Sequence, residues 1–164
     1  MTRTALPHLT IRVLGTALVV VLLSAPLWVP GWGPGLIGEI ALVPFPGNAA
    51  VIGGFLALVA LYCLTLQRLV RRAGAGSGAS VWWMFAIPAN FVEDFFIIRR
   101  VADAVAPRTG TRALGWWRLL GYGWCALQIV SLLPGEAGQA GGALAILLWL
   151  AQWVLTLSIS RRLR

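Results

Sequence analysis

Residues 81–98 read Val-Trp-Trp-Met-Phe-Ala-Ile-Pro-Ala-Asn-Phe-Val-Glu-Asp-Phe-Phe-Ile-Ile, and whether they cross a bilayer decides the fold. Apolarity alone would count them as a span. Charge argues otherwise. If they crossed, Arg99, Arg100, Arg108, Arg112 and Arg118 would fall opposite Arg68, Arg71 and Arg72, against the bias that gathers basic residues on the cytoplasmic side. Glu93 and Asp94 would also have to be carried through, at about 2.5 to 3.5 kcal/mol each near the bilayer centre. The stretch is therefore expected not to cross. Trp82 to Ile87 dip into the cytoplasmic interface, Pro88 marks a break, and Asn90 is the expected cap of a helix running to about Val105. On a helical wheel Phe91, Phe95, Ile98, Ala102 and Val105 share one face, with Glu93 and Arg100 near the opposite one. This predicts an interfacial segment over 81–105 whose amphipathic helix, from Asn90 to about Val105, lies on the membrane, with Asp103 in reach of Arg99 one turn earlier.

Composition points the same way. Of 164 residues 59% are hydrophobic and only 11% charged, where a soluble domain carries about a quarter charged residues to cover its wet surface. The mean hydropathy of +0.84 makes lipid the expected second solvent. The net charge of +8 could mean nucleic acid, but that needs a basic stripe on a soluble face. Here the arginines sit at the ends of apolar runs, so anionic lipid headgroups are the expected counter-charge and no nucleic-acid partner is implied.

Working outward from the central stretch, four apolar runs read as crossings. The first, 13–29, follows Arg3 and Arg12; no A-x-A site comes after it, which predicts an uncleaved signal anchor. The second, 49–67, ends in Arg68, Arg71 and Arg72 and a Gly/Ala/Ser linker. The third, 114–133, opens with Trp116, Trp117 and Arg118 at the cytoplasmic surface. The fourth, 143–160, ends at Arg161, Arg162 and Arg164. Every arginine then lies on or near one side, and neither outer connection carries one. The fold class expected is an all-α membrane protein, one polytopic domain over 1–164, with four transmembrane helices, an interfacial helix between the second and third, and both termini cytoplasmic. Trp82, Trp83, Pro88, Asn90, Glu93, Arg99, Arg100, Trp116 and Trp117 form the expected interfacial set.

Few residues carry chemistry. Ala49, Gly53 and Ala57, with Ala50 and Gly54 beside them, recur every four residues on the second span, the spacing that lets another helix approach closely. Gln128 lies about ten residues in from Arg118 and Gln152 nine before Arg161, so the two are expected at one depth, as an amide pair between the third and fourth spans. A ligand site ringed by Trp124, Trp149 and Trp153, or a contact to another subunit, are the other readings of that pair. Glu93 and Asp94 point about 100° apart on a helix, poor geometry for shared chelation, and read as a solvated face. Cys63 and Cys125 lie deep in apolar runs and read as small hydrophobes. The single histidine, His8, excludes a bis-histidine haem within the chain. No phosphate-binding loop or G-x-S-x-G elbow occurs, so no catalytic residue, metal or cofactor is expected.

The step Trp82-Trp83-Met84-Phe85-Ala86-Ile87-Pro88-Ala89-Asn90-Phe91, the mixed-charge run to Arg99-Arg100 and the later Leu114-Gly115-Trp116-Trp117 together resemble the bacterial DUF4328 domain proteins. The resemblance covers about residues 49–164, with Glu93-Asp94 standing where that pattern has arginine and proline. It implies a polytopic protein of a bacterial inner membrane with no assigned reaction. The expected role is therefore non-enzymatic: an accessory or assembly subunit, or a homo-oligomer, acting through helix contacts. The alternative is a small transporter or channel with a polar site near Gln128 and Gln152.

Overall fold

The computed structural model describes residues 5–163, without the side chains of residues 5–7, 36 and 37; Arg3 and Arg164, two of the expected anchors, lie outside them. All regular structure among the described residues is helical. Helix α1 (Ala5–Ser24) continues into a 3-10 turn, Ala25–Leu27. Then come the short α2 (Gly35–Ala41), α3 (Gly47–Arg72), a 3-10 arm (Ala79–Phe85), α4 (Asn90–Val105), α5 (Thr111–Val130) and α6 (Gly135–Arg162).

Three of these stretches are long and apolar enough to cross a membrane: His8–Leu27, Gly47–Arg72 and Gly135–Arg162. They take in the second and fourth expected spans entirely and most of the first. Helix α5 fills most of 114–133, and its 20 residues make it about 30 Å long. It is less apolar than the other three because Arg118, Tyr122, Gln128 and three tryptophans lie along it. Val51, Ile52, Phe55, Leu56 and Leu58 on α3, and Leu144, Ile146, Leu147, Leu150 and Val154 on α6, are all exposed. A soluble monomer rarely leaves so continuous an apolar surface bare, whereas lipid covers it at no cost.

The packed core sits toward the arginine-bearing ends of the long helices. Helices α3 and α6 run parallel there, Tyr62 beside Gln152 and Arg72 beside Ser160. Arg72 donates to the Ser160 carbonyl at 2.8 Å and to its hydroxyl at 2.7 Å, meeting acceptors that the end of α6 would otherwise leave open. Helix α5 runs antiparallel to α6. The turn between them closes at Gly135, whose φ of +70° suits a residue without Cβ, and Gly138 packs directly on the Leu133 carbonyl.

The segment between α3 and α5 returns to the end of the bundle it left. Gly74, at φ +74°, follows the last turn of α3. The chain then runs back along α3, placing Gly78 against Gln67 and Val70, and the Cys63 thiol donates to the Val81 carbonyl at 3.4 Å. After Pro88, α4 descends antiparallel to α5: Phe95 stacks on Tyr122, Ile98 packs on Gly121, and Asp103 accepts from Arg118 at 2.7 Å. The Arg108 guanidinium closes the loop on the Arg72 carbonyl at 2.9 Å.

Two expectations for this segment are corrected. Helix α4 does not lie apart as a surface helix: Val92, Asp94, Ile97, Ile98, Val101, Ala102 and Val105 are buried, a surface wider than the single stripe read from the wheel. It wedges among α1, α3 and α5. Asn90 does not cap it either, because the capping position falls on Ala89 and no side chain bonds the free amides. One turn on, Glu93 holds the polar edge of the wedge, pairing with Arg12 of α1 at 2.8 Å and with Arg100 at 3.3 Å.

The contact of α4 with α5 depends on the missing side chain at Gly121. A Cβ there would meet Ile98 at 2.8 Å and would collide with the Gln152 amide. Gly121→Val should lower stability in detergent by about 1–3 kcal/mol through overpacking. Gly115→Ala, with open space around it, should be neutral or stabilising by at most about 1 kcal/mol. Thermal unfolding followed by circular dichroism checks both.

Candidate functional site: two buried polar clusters

Gln152 is fully buried and joins three helices. Its carbonyl oxygen accepts from the Tyr62 hydroxyl of α3 and from the Trp124 indole of α5, both at 2.7 Å. Its amide donates to the Trp117 carbonyl at 3.1 Å. The Trp117 indole in turn donates to Thr156 at 2.8 Å, and Thr156 donates to the Gln152 carbonyl of the backbone at 2.8 Å. Local geometry explains the set. Trp117, Gly121 and Trp124 are spaced by four and three residues, so they line one face of α5, and Gln152 and Thr156 lie one turn apart on α6. Tyr62 sits edge-on to Trp149 and Trp153, with ring centroids 5.5 and 5.7 Å away. Tyr62 thus packs directly between the tryptophans of α5 and α6.

Gln128 belongs to a second cluster. It lies seven residues beyond Gly121 along α5, about 10 Å farther from the level of Gln152. The two glutamines therefore do not pair, because counting inward from Arg118 and Arg161 assumed that those arginines mark one level. Gln128 instead donates to Asp94 of α4 at 3.1 Å, while its backbone carbonyl accepts from Ser131 at 2.7 Å.

Asp94 is only 3% exposed, which corrects the reading of Glu93 and Asp94 as one solvated face. The neighbours diverge because their directions differ by a quarter turn or more: Glu93 points to Arg12 and Arg100, Asp94 into the α4–α5 seam. Burial pushes the Asp94 carboxyl up to about 7; the Gln128 amide works against that rise, and the charge on Glu93 adds to it.

The remaining singled-out residues are scattered. Ala49, Gly53, Gly54 and Ala57 are exposed, and a Cβ on Gly53 or Gly54 would touch nothing among the described residues. Trp82, Trp83 and Trp116 are exposed and Pro88 partly buried, whereas Trp117, expected at the membrane surface, is inside. Arg99 and Arg100 are exposed, Arg99 lying 3.9 Å from Asp103. Cys63 and Cys125 are buried and unpaired. Among the described residues no three His, Cys, Asp or Glu side chains gather as a metal site. Sequence reasoning missed Tyr62, Gly121 and Thr156; the four-then-three spacing of Trp117, Gly121 and Trp124 was the one signal that could have found part of this group.

No protein-family model, curated protein or solved structure matches the chain.

Removing the Gln152 acceptor strands two donors at once. Gln152→Leu should cost about 2–5 kcal/mol, at about 1–3 per buried group left unmet. Tyr62→Phe deletes a donor and leaves Trp124 bonded, so it should cost only about 0.5–1.5 kcal/mol. Denaturant titration in detergent micelles should return that order.

Proposed function

We propose that the chain is a non-enzymatic integral membrane protein that acts through helix contacts, as an assembly or accessory subunit or as a homo-oligomer. The observation that carries this reading is the outer half of α3. Its stripe of Ala49, Gly53 and Ala57, flanked by Ala50 and Gly54, is exposed, and among the described residues nothing lies within reach of a Cβ on either glycine. Small residues at this spacing let a second helix come close, and dispersion between backbones then drives association in lipid. The glycines also cost helix stability, which an unused surface would not require. In the same reading α5 is a fourth crossing beside the three long apolar helices, the hairpin of residues 73–108 enters from the cytoplasmic side, and both termini are cytoplasmic in a bacterial inner membrane. The resemblance to DUF4328 proteins, carried by the Trp82 to Phe91 step, agrees with this arrangement and adds no reaction.

A small transporter or channel is the second reading, favoured by one observation: α4 carries the acid Asp94 to Gln128, deep in the apolar seam. Acids in such places commonly mark ion or proton pathways.

Gly53→Leu combined with Gly54→Leu should leave the monomer folded and weaken association by about tenfold or more, roughly 1.4 kcal/mol. Crosslinking in native membranes, followed by sizing in mild detergent, reads the effect. A wild-type chain that runs as a monomer with no co-purifying partner contradicts the proposal, as does association that survives both leucines.

A further inference from the structure

Asp94 and Asn90 lie one turn apart on α4, on one face of it. Asp94 Oδ1 and Asn90 Oδ1 are both buried, and among the described residues neither has a hydrogen-bond partner. The other carboxyl oxygen, Oδ2, already accepts from the Gln128 amide. Two unmet buried acceptors one turn apart on a helix are unfavourable together, and an anion there adds an uncompensated charge. The arginines that could have neutralised it are engaged elsewhere: Arg12 and Arg100 both pair with Glu93, and Arg108 is bonded at the far end of the segment. The other titratable groups that face Asp94 are Tyr62 and Cys63 from α3 and Cys125 from α5, none of them cationic. The 3-10 arm contributes no titratable side chain.

We propose that Asp94 is an exchangeable proton-binding site, holding a proton on Oδ1 that is donated toward Asn90 Oδ1 and keeps α4 seated on α5. One proton converts one of the two acceptors into a donor and removes the charge, answering both deficits. On release, the O–H bond breaks, the proton passes to water, and the electron pair stays on Asp94 as a carboxylate. The anion then requires hydration, and water can reach it only by parting α4 from α5. A hard cation fits less well, since among the described residues Asp94 belongs to no group of three His, Cys, Asp or Glu that could share its charge. The site is independent of how the chain assembles.

The sign of the linkage follows from the geometry. Folding favours the protonated form, so the stability gained at Asp94 is complete at acid pH. It is lost progressively as pH rises from about 3.8, the ordinary value, through about 7.

Infrared spectroscopy of the purified full chain in liposomes tests this through the carbonyl stretch of a protonated carboxyl group. The band should be present at about pH 5.5, where ordinary carboxyl groups are ionised, vanish reversibly on alkalinisation, be absent in Asp94→Asn and persist in Glu93→Gln. Because Asp94→Asn alters a buried group, Asn90→Ala provides a second variant: losing the acceptor should move the transition to lower pH by about one unit or less. Sodium concentration should leave the transition in place. A band that survives Asp94→Asn, a transition unmoved in Asn90→Ala, or one that shifts with sodium at fixed pH overturns the proposal.

Discussion

A polar side chain in an apolar bundle has to find its partner inside the protein, because neither lipid nor packed hydrocarbon offers one. Gln152 is where this requirement is most concentrated. By accepting from Tyr62 and Trp124 and donating to the Trp117 backbone, it fixes the register of α3, α5 and α6 in a single set of bonds. Apolar contacts alone would permit a helix to slide or rotate with little penalty. Once that register is set, Gly121 faces both Gln152 and Ile98, and α4 has a place to enter.

The entry of α4 gives the molecule its second polar layer. A chain that turns back within an apolar bundle leaves backbone and side-chain groups to be met by neighbours, and these are supplied unevenly. Cys63 meets the Val81 carbonyl of the arm, Arg108 meets the Arg72 carbonyl at the hairpin's mouth, and Glu93 takes two guanidinium groups. Asp94 receives one neutral amide. Two adjacent acids thus occupy opposite electrostatic situations, set by a rotation of about 100° on one helix. That asymmetry makes the seam between α4 and α5 responsive to charge, while the Gln152 layer, built from neutral donors and acceptors, is indifferent to it.

Much of the helical framework was legible in the sequence, since long apolar runs bounded by arginine impose both element type and approximate ends. Three of the four runs, the first, second and fourth, lie wholly or largely in helices long and apolar enough to cross, and Pro88 marked the break before α4. What escaped was depth and direction. Gln128 and Gln152 looked level because the arginines nearest to them were used as rulers, yet Arg118 lies inward of Arg112 and pairs with Asp103. Asp94 looked solvated because the wheel showed a polar edge at Glu93, and a wheel cannot tell whether a neighbouring helix covers the flank beside that edge. Gly121 gave little warning: beyond sharing a face with Trp117 and Trp124, one of three glycines in a tryptophan-rich helix gains meaning only from what packs on it. The stripe on α3 was visible, but that no described residue packs on its glycines emerges only with the other helices in place.

The account stands on residues 73–108 leaving and re-entering the bundle at the same end. Single cysteines in place of Ser77 and Pro107, both exposed and on opposite limbs of the hairpin, report this directly, since Cys63 and Cys125 are buried. Labelling with a membrane-impermeant thiol reagent, in vesicles of each orientation, should modify both positions from the same face. Modification of the two from opposite faces would contradict the hairpin and the buried setting of Asp94 with it.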